Sequence, residues 1–168
     1  MNRTKLVVGL GVLLALLVGA RVYLSLSTPK PVEPRERIRQ LFELGKTAFE
    51  SENADALIEL LAEEFTFGGM DKRRMQFELN RFFKNAEQPR AELGELQMEV
   101  FGGRIIVRTP VRITWRDATN PAGGVNSQDY GVVEFEFRRY QLRRWWFFTY
   151  EDWRLVRVEP TEMGDIPL

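Results

Sequence analysis

The chain has 168 residues, with 24 Lys+Arg against 24 Asp+Glu and neither Cys nor His. Zero formal net charge argues against a dedicated nucleic-acid binder, which carries a basic excess. Without Cys and His there is no disulfide framework, thiol nucleophile, Ser-His or Cys-His catalysis, or imidazole zinc ligand. Carboxylates, tyrosines, lysines and arginines are left for any chemistry, and no metal and no cofactor is expected.

The first feature in chain order is an apolar run, Leu6 to Ala20, behind Arg3 and Lys5. Counted past Arg21 to Leu26 it reaches the roughly 20 residues that cross a hydrocarbon core. One reading is a secretory signal, cleaved after the small residues Val18-Gly19-Ala20. The favoured reading is an uncleaved single-pass anchor, with Arg21 snorkelling to the interface. Arg21 would be an awkward first mature residue, and Val22-Tyr23-Leu24-Ser25-Leu26 is still membrane-like. Arg3 and Lys5 hold the amino terminus in the cytoplasm, while Arg21, Lys30, Arg35, Arg37 and Arg39 pull the other way. The very short N-terminal tail decides for a domain outside the cytoplasm, at the cell membrane. Cleavage near Ala20 would instead give a secreted or periplasmic domain.

Residues 1–27 are thus read as anchor, 28–34 as a proline-rich stalk, 35–160 as one domain and 161–168 as a tail. Pro29, Pro31 and Pro34 favour an extended stalk of about 3.1 Å per residue.

Helical periodicity begins at Arg35. Ile38, Leu41, Phe42, Leu44, Ala48 and Phe49 form an apolar stripe, with Arg37, Arg39, Glu43 and Lys46 outside it. Ser51-Glu52-Asn53 interrupts, and Asn53 suits an N-cap. Leu57, Leu60, Leu61 and Phe65 carry a second helix into a strand-like Phe65-Thr66-Phe67, broken by Gly68-Gly69. Asp71 caps a third helix with the stripe Met75, Leu79, Phe82, Phe83 and Ala86, limited by Pro89.

The period then becomes two. Leu96, Met98 and Val100 lead to a Gly102-Gly103 turn, and Ile105, Val107, Thr109, Val111, Ile113 and Trp115 line one face of a long strand. Pro110 within it implies an edge or a sheet-bending bulge. Asp117 to Asp129 reads as a polar loop. Val133, Phe135 and Phe137 resume the alternation, which runs through Trp145 to Phe148, turns near Glu151-Asp152 and returns as Trp153 to Val158. The expected fold class is α+β: three helices packed on one face of a curved antiparallel sheet, behind the N-terminal membrane helix.

This order of elements, the string Asn53-Ala54-Asp55-Ala56-Leu57-Ile58-Glu59-Leu60-Leu61-Ala62-Glu63-Glu64-Phe65 and the closing Asp152-Trp153-Arg154-Leu155-Val156 resemble the nuclear transport factor 2-like superfamily, in its SnoaL-like and ketosteroid-isomerase-like bacterial branches. The resemblance spans residues 35 to 160. It implies a cone, a bent sheet wrapped around helices with a pocket between them. It also implies a choice of functions, because members include isomerases, dehydratases, cyclases and non-catalytic binding modules.

Isomerases of the superfamily use an acid after the second helix and a tyrosine and second acid facing the pocket. Here that segment reads Phe65-Thr66-Phe67-Gly68-Gly69-Met70, without an acid, and the first helix has Phe42 and Phe49 in place of a tyrosine. Asp71 is better explained as a cap, so no catalytic residue is assigned. Glu134 and Glu136 fall by parity on the outer face, opposite Arg108 and Arg112. Phe42, Phe65, Phe67, Phe82, Phe135 and Phe137 either line a pocket or fill the core. Thr109 either points into a cavity or bonds to backbone. Arg143, Arg144, Trp145 and Trp146 form an unusual cluster, read as an interface, since adjacent tryptophans on a regular strand face opposite ways. The function expected is a membrane-tethered, non-catalytic binding module. Its partners are the membrane, through Leu6 to Leu26, and a like subunit, a membrane-complex protein or a small apolar ligand. The alternative is an isomerase, dehydratase or cyclase acting on a small apolar substrate.

Overall fold

The computed structural model describes residues 32–119, 124–144 and 148–161. The segment Leu6 to Leu26, the stalk through Pro31, Trp145 and Trp146, and the tail after Thr161 lie outside the described residues. Among the described residues no helix is long and apolar enough to cross a membrane.

Helix α1 spans Pro34–Glu50. Pro34 has no N–H to leave unpaired in the first turn, and Glu36 there suits the helix dipole. The stripe buries Ile38, Leu41, Phe42 and Ala48. Helix α2 spans Ala54–Glu59, and the Asn53 side chain accepts a hydrogen bond from the Ala56 N–H at 3.0 Å, as the sequence predicts. It ends earlier than the apolar spacing suggests. Leu61, expected in the helix, already opens strand β1, Leu61–Phe67. The cause is tertiary: the Leu60 carbonyl accepts from the Leu155 N–H at 3.0 Å, so it is taken by a strand rather than by the next helical turn.

Gly68 and Gly69, both with positive φ, turn the chain into β2, Met70–Asp71. Asp71 then caps helix α3, Lys72–Asn85, accepting from the Arg74 N–H at 2.8 Å. Strand β3, Ala86–Leu93, follows at once. Ala86 and Pro89, expected at the end of the helix, therefore belong to a strand. Pro89 is tolerated because the register slips between Glu87 and Arg90, with Gln88 left-handed at φ 52°. A bulge leaves the position of the missing N–H outside the ladder.

Strands β4, Gln97–Phe101, β5, Arg104–Asp117, β6, Val125–Arg144, and β7, Phe148–Pro160, complete the sheet. The order is β2-β1-β7-β6-β5-β3, with β4 also on β5. The sheet is mixed rather than antiparallel throughout, because β1 runs parallel to β7, pairing Leu61 with Leu155 and Phe67 with Val158. Two loop boundaries also differ from expectation. Strand β6 begins at Val125, opposite Arg116, so the polar loop is shorter than Asp117 to Asp129. Glu151 and Asp152 lie inside the β6–β7 ladder opposite Gln141 and Tyr140, and the two strands join between Arg144 and Phe148.

Pro110 marks the bend, as its position predicts. The β5–β6 register shifts between Pro110 and Arg112, with Gly131 at φ 63° on the bulged strand. On the other side of β5, the Gly94 N–H donates to the Pro110 carbonyl at 2.9 Å. A Cβ at Gly94 would sit 2.7 Å from Pro110 Cδ, so only glycine lets the chain pass.

The main core joins Ile38, Leu41 and Phe42 of α1 to Ile105 and Val107 of β5, Phe137 of β6 and Trp153 of β7. A second cluster, Ile58, Leu61 and Phe65, gathers Met75 and Leu79 of α3.

Candidate functional site

The two clusters leave a cavity of about 290 Å³ between them. Helix α1 gives one wall, through Leu41, Phe42, Gly45, Lys46 and Phe49. These positions recur at helical spacing, so they share a face. Leu57, Leu60, Leu61, Phe65 and Phe67 form the next wall, and Met75 and Leu79 of α3 look in from above. The sheet supplies the floor, with Leu93 of β3, Val111 of β5, Phe135 and Phe137 of β6, and Leu155 and Val158 of β7. Phe42 packs edge-on against Phe135, with ring centroids 5.1 Å apart, which holds wall to floor. Helix α3 has no fully buried residue although its stripe is well formed. Its apolar face is shared: Met75 and Leu79 pack on the second cluster and border the cavity, while Phe82 and Phe83 pack on Phe49.

Among the lining residues Lys46 is the only one with an ionisable side chain. It is half-buried, and it makes no hydrogen bond or ion pair with the described residues. The apolar stripe of α1 had placed Lys46 outside. The signal that finds it is its spacing, four residues after Phe42 and three before Phe49.

Of the residues singled out from the sequence, Phe42, Phe65, Phe67, Phe135 and Phe137 stand on the cavity wall. Phe82 does not. It joins an aromatic group that meets the cavity through Phe49, 5.7 Å away, and includes Trp115, 5.5 Å away between ring centroids. Thr109 is fully buried, and its hydroxyl donates to the Pro110 carbonyl at 3.3 Å, so it is satisfied by backbone. The acids that could have served chemistry are used elsewhere. Asp71 caps α3, and Asp117 accepts from the Thr119 N–H and hydroxyl at 2.8 and 2.7 Å. Asp129 accepts from the Gly131 N–H and from Arg112, which together hold its carboxyl below the ordinary aspartate value. Tyr130 and Tyr150 are exposed.

Glu134 pairs with Arg108 at 2.9 Å on the outer face, as parity predicts. Glu136 is also outside the apolar core, but it is 3% exposed rather than solvated. Arg138 and Arg157 lie over it, at 2.9 and 3.0 Å. Arg112 turns to Asp129 instead of either glutamate. Arg143 and Arg144 end β6, and Trp145 and Trp146 fall outside the described residues.

No protein-family model and no curated protein matches the sequence. Solved structures do match its shape. A nuclear transport factor 2-like superfamily protein from Salmonella enterica serovar Typhimurium aligns over 79% of this chain and 96% of its own, with TM-score 0.58 and 14% identity. The chain has the nuclear transport factor 2-like fold. A suspected aromatic ring hydroxylase from Novosphingobium aromaticivorans aligns over 77% of this chain and 89% of its own, with TM-score 0.62 and 18% identity. A suspected dehydratase of the same fold from Streptomyces avermitilis aligns over 73% and 91%, with TM-score 0.55 and 16% identity. At such identities the likeness is one of fold.

The nuclear transport factor 2-like domain has a second, polar cleft of about 340 Å³, lined among others by Glu63, Glu64, Lys72, Tyr140 and Arg154. Two pairs of its groups are matched to one another, while the Arg154 side chain makes no hydrogen bond or ion pair among the described residues. Lys72 donates to Glu63 at 2.8 Å and to the Leu61 carbonyl at 3.1 Å. Tyr140 donates to Glu64, and its hydroxyl is pushed up to about 12 by burial and by that bond. A phenol so held is a poor acid at neutral pH. Among the described residues no group of three acids comes together as metal ligands.

Proposed function

We propose that the chain is a membrane-tethered binding module that holds a small apolar ligand in the cavity of its nuclear transport factor 2-like domain and carries out no reaction on it. One observation carries this reading: the cavity wall has room for a ligand but no acid, tyrosine or hydroxyl. General acid–base catalysis needs a proton-carrying group within hydrogen-bond reach of the substrate, usually with a second group to tune it. Lys46 stands alone. Burying an apolar ligand against such a wall gains about 25 cal/mol per Å², which is binding without chemistry. The test is equilibrium dialysis of neutral apolar probes, such as decan-1-ol and naphthalene, against the parent and Gly45→Leu. A Cβ at Gly45 meets only Leu60, at 3.5 Å, so a leucine side chain can enter the cavity. Binding should fall at least tenfold in the variant. A parent that retains no probe overturns the reading.

The tether rests on Leu6 to Leu26, with the amino terminus in the cytoplasm and the domain outside. C-terminal reporter fusions test the orientation, and mature protein beginning at Arg21 would replace the anchor with a cleaved signal. A like subunit is the partner favoured by Arg143, Arg144, Trp145 and Trp146, since arginine and aromatics are enriched at interface hot spots. Confinement to a membrane raises the effective concentration of neighbours. Mass measured against concentration, for the parent and for Trp145→Ala and Trp146→Ala separately, decides it. A monomeric parent with both variants merely destabilised overturns the interface.

A second reading, an isomerase, dehydratase or cyclase in the same cavity, is favoured by neighbours named for suspected dehydratase and hydroxylase activities. It would have to work through Lys46, so turnover that survives Lys46→Met would exclude this wall as its site.

A further inference from the structure

We propose that the ligand is an acid: a medium-length apolar carboxylate whose body fills the cavity and whose head group pairs with Lys46. This rests on the binding reading above and specifies its ligand class.

Lys46 belongs to the cavity wall, yet it is half-buried with no partner among the described residues. Its neighbours on that face of α1, Phe42 and Phe49, are apolar, while the nearby acids Glu43 and Glu50 are exposed and do not pair with it. A lysine stem packs along apolar surface and carries its ammonium toward water. The stem thus lines the cavity wall, and the ammonium is proposed to sit at its mouth, where the apolar space meets solvent. Among the other half-buried cations Arg37 has Asp152, Lys72 has Glu63, and Arg108 has both Glu99 and Glu134, while Arg154, like Lys46, has no ion pair among the described residues. The cavity wall supplies none for Lys46.

The head group follows from the count of charges. Lysine is a point charge with three donors and does not clamp a phosphate as an arginine fork does. A phosphate monoester brings close to two negative charges and would meet one cation on this wall. A carboxylate brings one. The body follows from the space. At about 30 Å³ per heavy atom, the share of a water in the liquid, the cavity of about 290 Å³ holds about ten heavy atoms.

The probes are therefore decanoate, decan-1-ol and decylamine, kept below the concentrations at which they aggregate. Both core clusters draw their residues from Ile38 to Val158, and the chain from Arg35 onward is a compact unit by itself. The domain from residue 32 onward can thus be used, once a single cooperative unfolding transition has been recorded. The parent should bind decanoate at least tenfold more tightly than decan-1-ol, and decylamine more weakly than either. Lys46→Met should lose the preference for decanoate over decan-1-ol. Lys46→Arg should retain the preference, and added salt should reduce it in the parent. Equal binding of decanoate and decan-1-ol by the parent, or a preference that survives in Lys46→Met, overturns the carboxylate inference and leaves the binding module standing. A parent that binds none of the three overturns both.

Discussion

The two faces of the sheet use the same strands in opposite ways. The outer face is a lattice of matched charges. Arg108 reaches Glu99 and Glu134, Arg112 reaches Asp129, and Arg157 bridges Glu136 and Glu159. The inner face borders free volume, closed on the far side by α1, whose Lys46 is the one ionisable residue of the lining. Carboxylates that could act as bases are therefore spent on arginines outside, while the space that could hold a substrate is lined by carbon. The usual coincidence of pocket and perturbed acid that marks an active site is absent from the wall of the apolar cavity, and the perturbed pair Glu64 and Tyr140 lies in the polar cleft instead. What distinguishes this domain is that its chemistry and its cavity lie on opposite sides of one sheet.

The inner face should dominate stability. Phe137 is 5% exposed and packs on Phe42 with ring centroids 5.6 Å apart. Phe137→Ala should cost about 3–5 kcal/mol by urea denaturation. Arg112→Gln on the outer face should unfold like the parent, because exposed ion pairs are screened and flexible. Similar losses from both would break the contrast.

The next effect comes from the rim, where Arg37 of α1 donates two hydrogen bonds to Asp152 of β7, at 2.8 and 2.7 Å. Burial pushes the Asp152 carboxyl up. The Arg37 bonds, the Trp153 N–H and the charges of Arg37 and Arg154 outweigh it, so the net shift is below the ordinary 3.8. A depressed carboxyl contributes its stability fully above the unfolded value and loses it as pH falls through the folded one. Asp152→Asn should thus cost about 1.5–3 kcal/mol at neutral pH. The difference from the parent should begin to shrink as the pH falls below the ordinary 3.8 in acid titrations of stability, and a gap that does not narrow as acid is added would count against this pairing.

Glu136 tests the outer face where it is densest. Glu136→Gln keeps the shape and removes the charge beneath Arg138 and Arg157, which are 49% and 41% exposed and can rehydrate. The loss should be about 1–2 kcal/mol, read from urea midpoints. A neutral result would show that the ion-pair lattice is decoration.

Much of this architecture is legible in the sequence because it is local. Asn53 and Asp71 announce the helix starts, Gly102 the hairpin and Pro110 the bulge. The features that are not legible are set by distant partners. The parallel pairing of β1 with β7 ends α2 at Glu59, and a bulge hides Pro89 inside a strand. The site divides in the same way. Alternation places Phe135 and Phe137 on the inner face, but no periodicity distinguishes a face that meets atoms from one that meets space. Met75 and Leu79 read as core and do pack on Ile58, Leu61 and Phe65, but that they also border the cavity, and that Lys46 does, follows only from the fold.

Gly45 gives the smallest expected effect and the sharpest division between packing and function. It lies inside α1, where glycine costs about 0.5–1 kcal/mol relative to alanine because the unfolded chain has more freedom to lose. The methyl of Gly45→Ala would find Leu60 at 3.5 Å, ordinary van der Waals contact, so nothing need move. The variant should be more stable by about 0.5–1 kcal/mol. That same methyl enters the cavity beside Lys46, so it removes room that a ligand needs. Stability should rise while affinity for decanoate and decan-1-ol falls by a few fold. If both rise together, the space beside Gly45 is only imperfect packing. If stability rises while affinity falls, the glycine is kept for the ligand at the expense of the helix, as expected of a site whose function is to stay open.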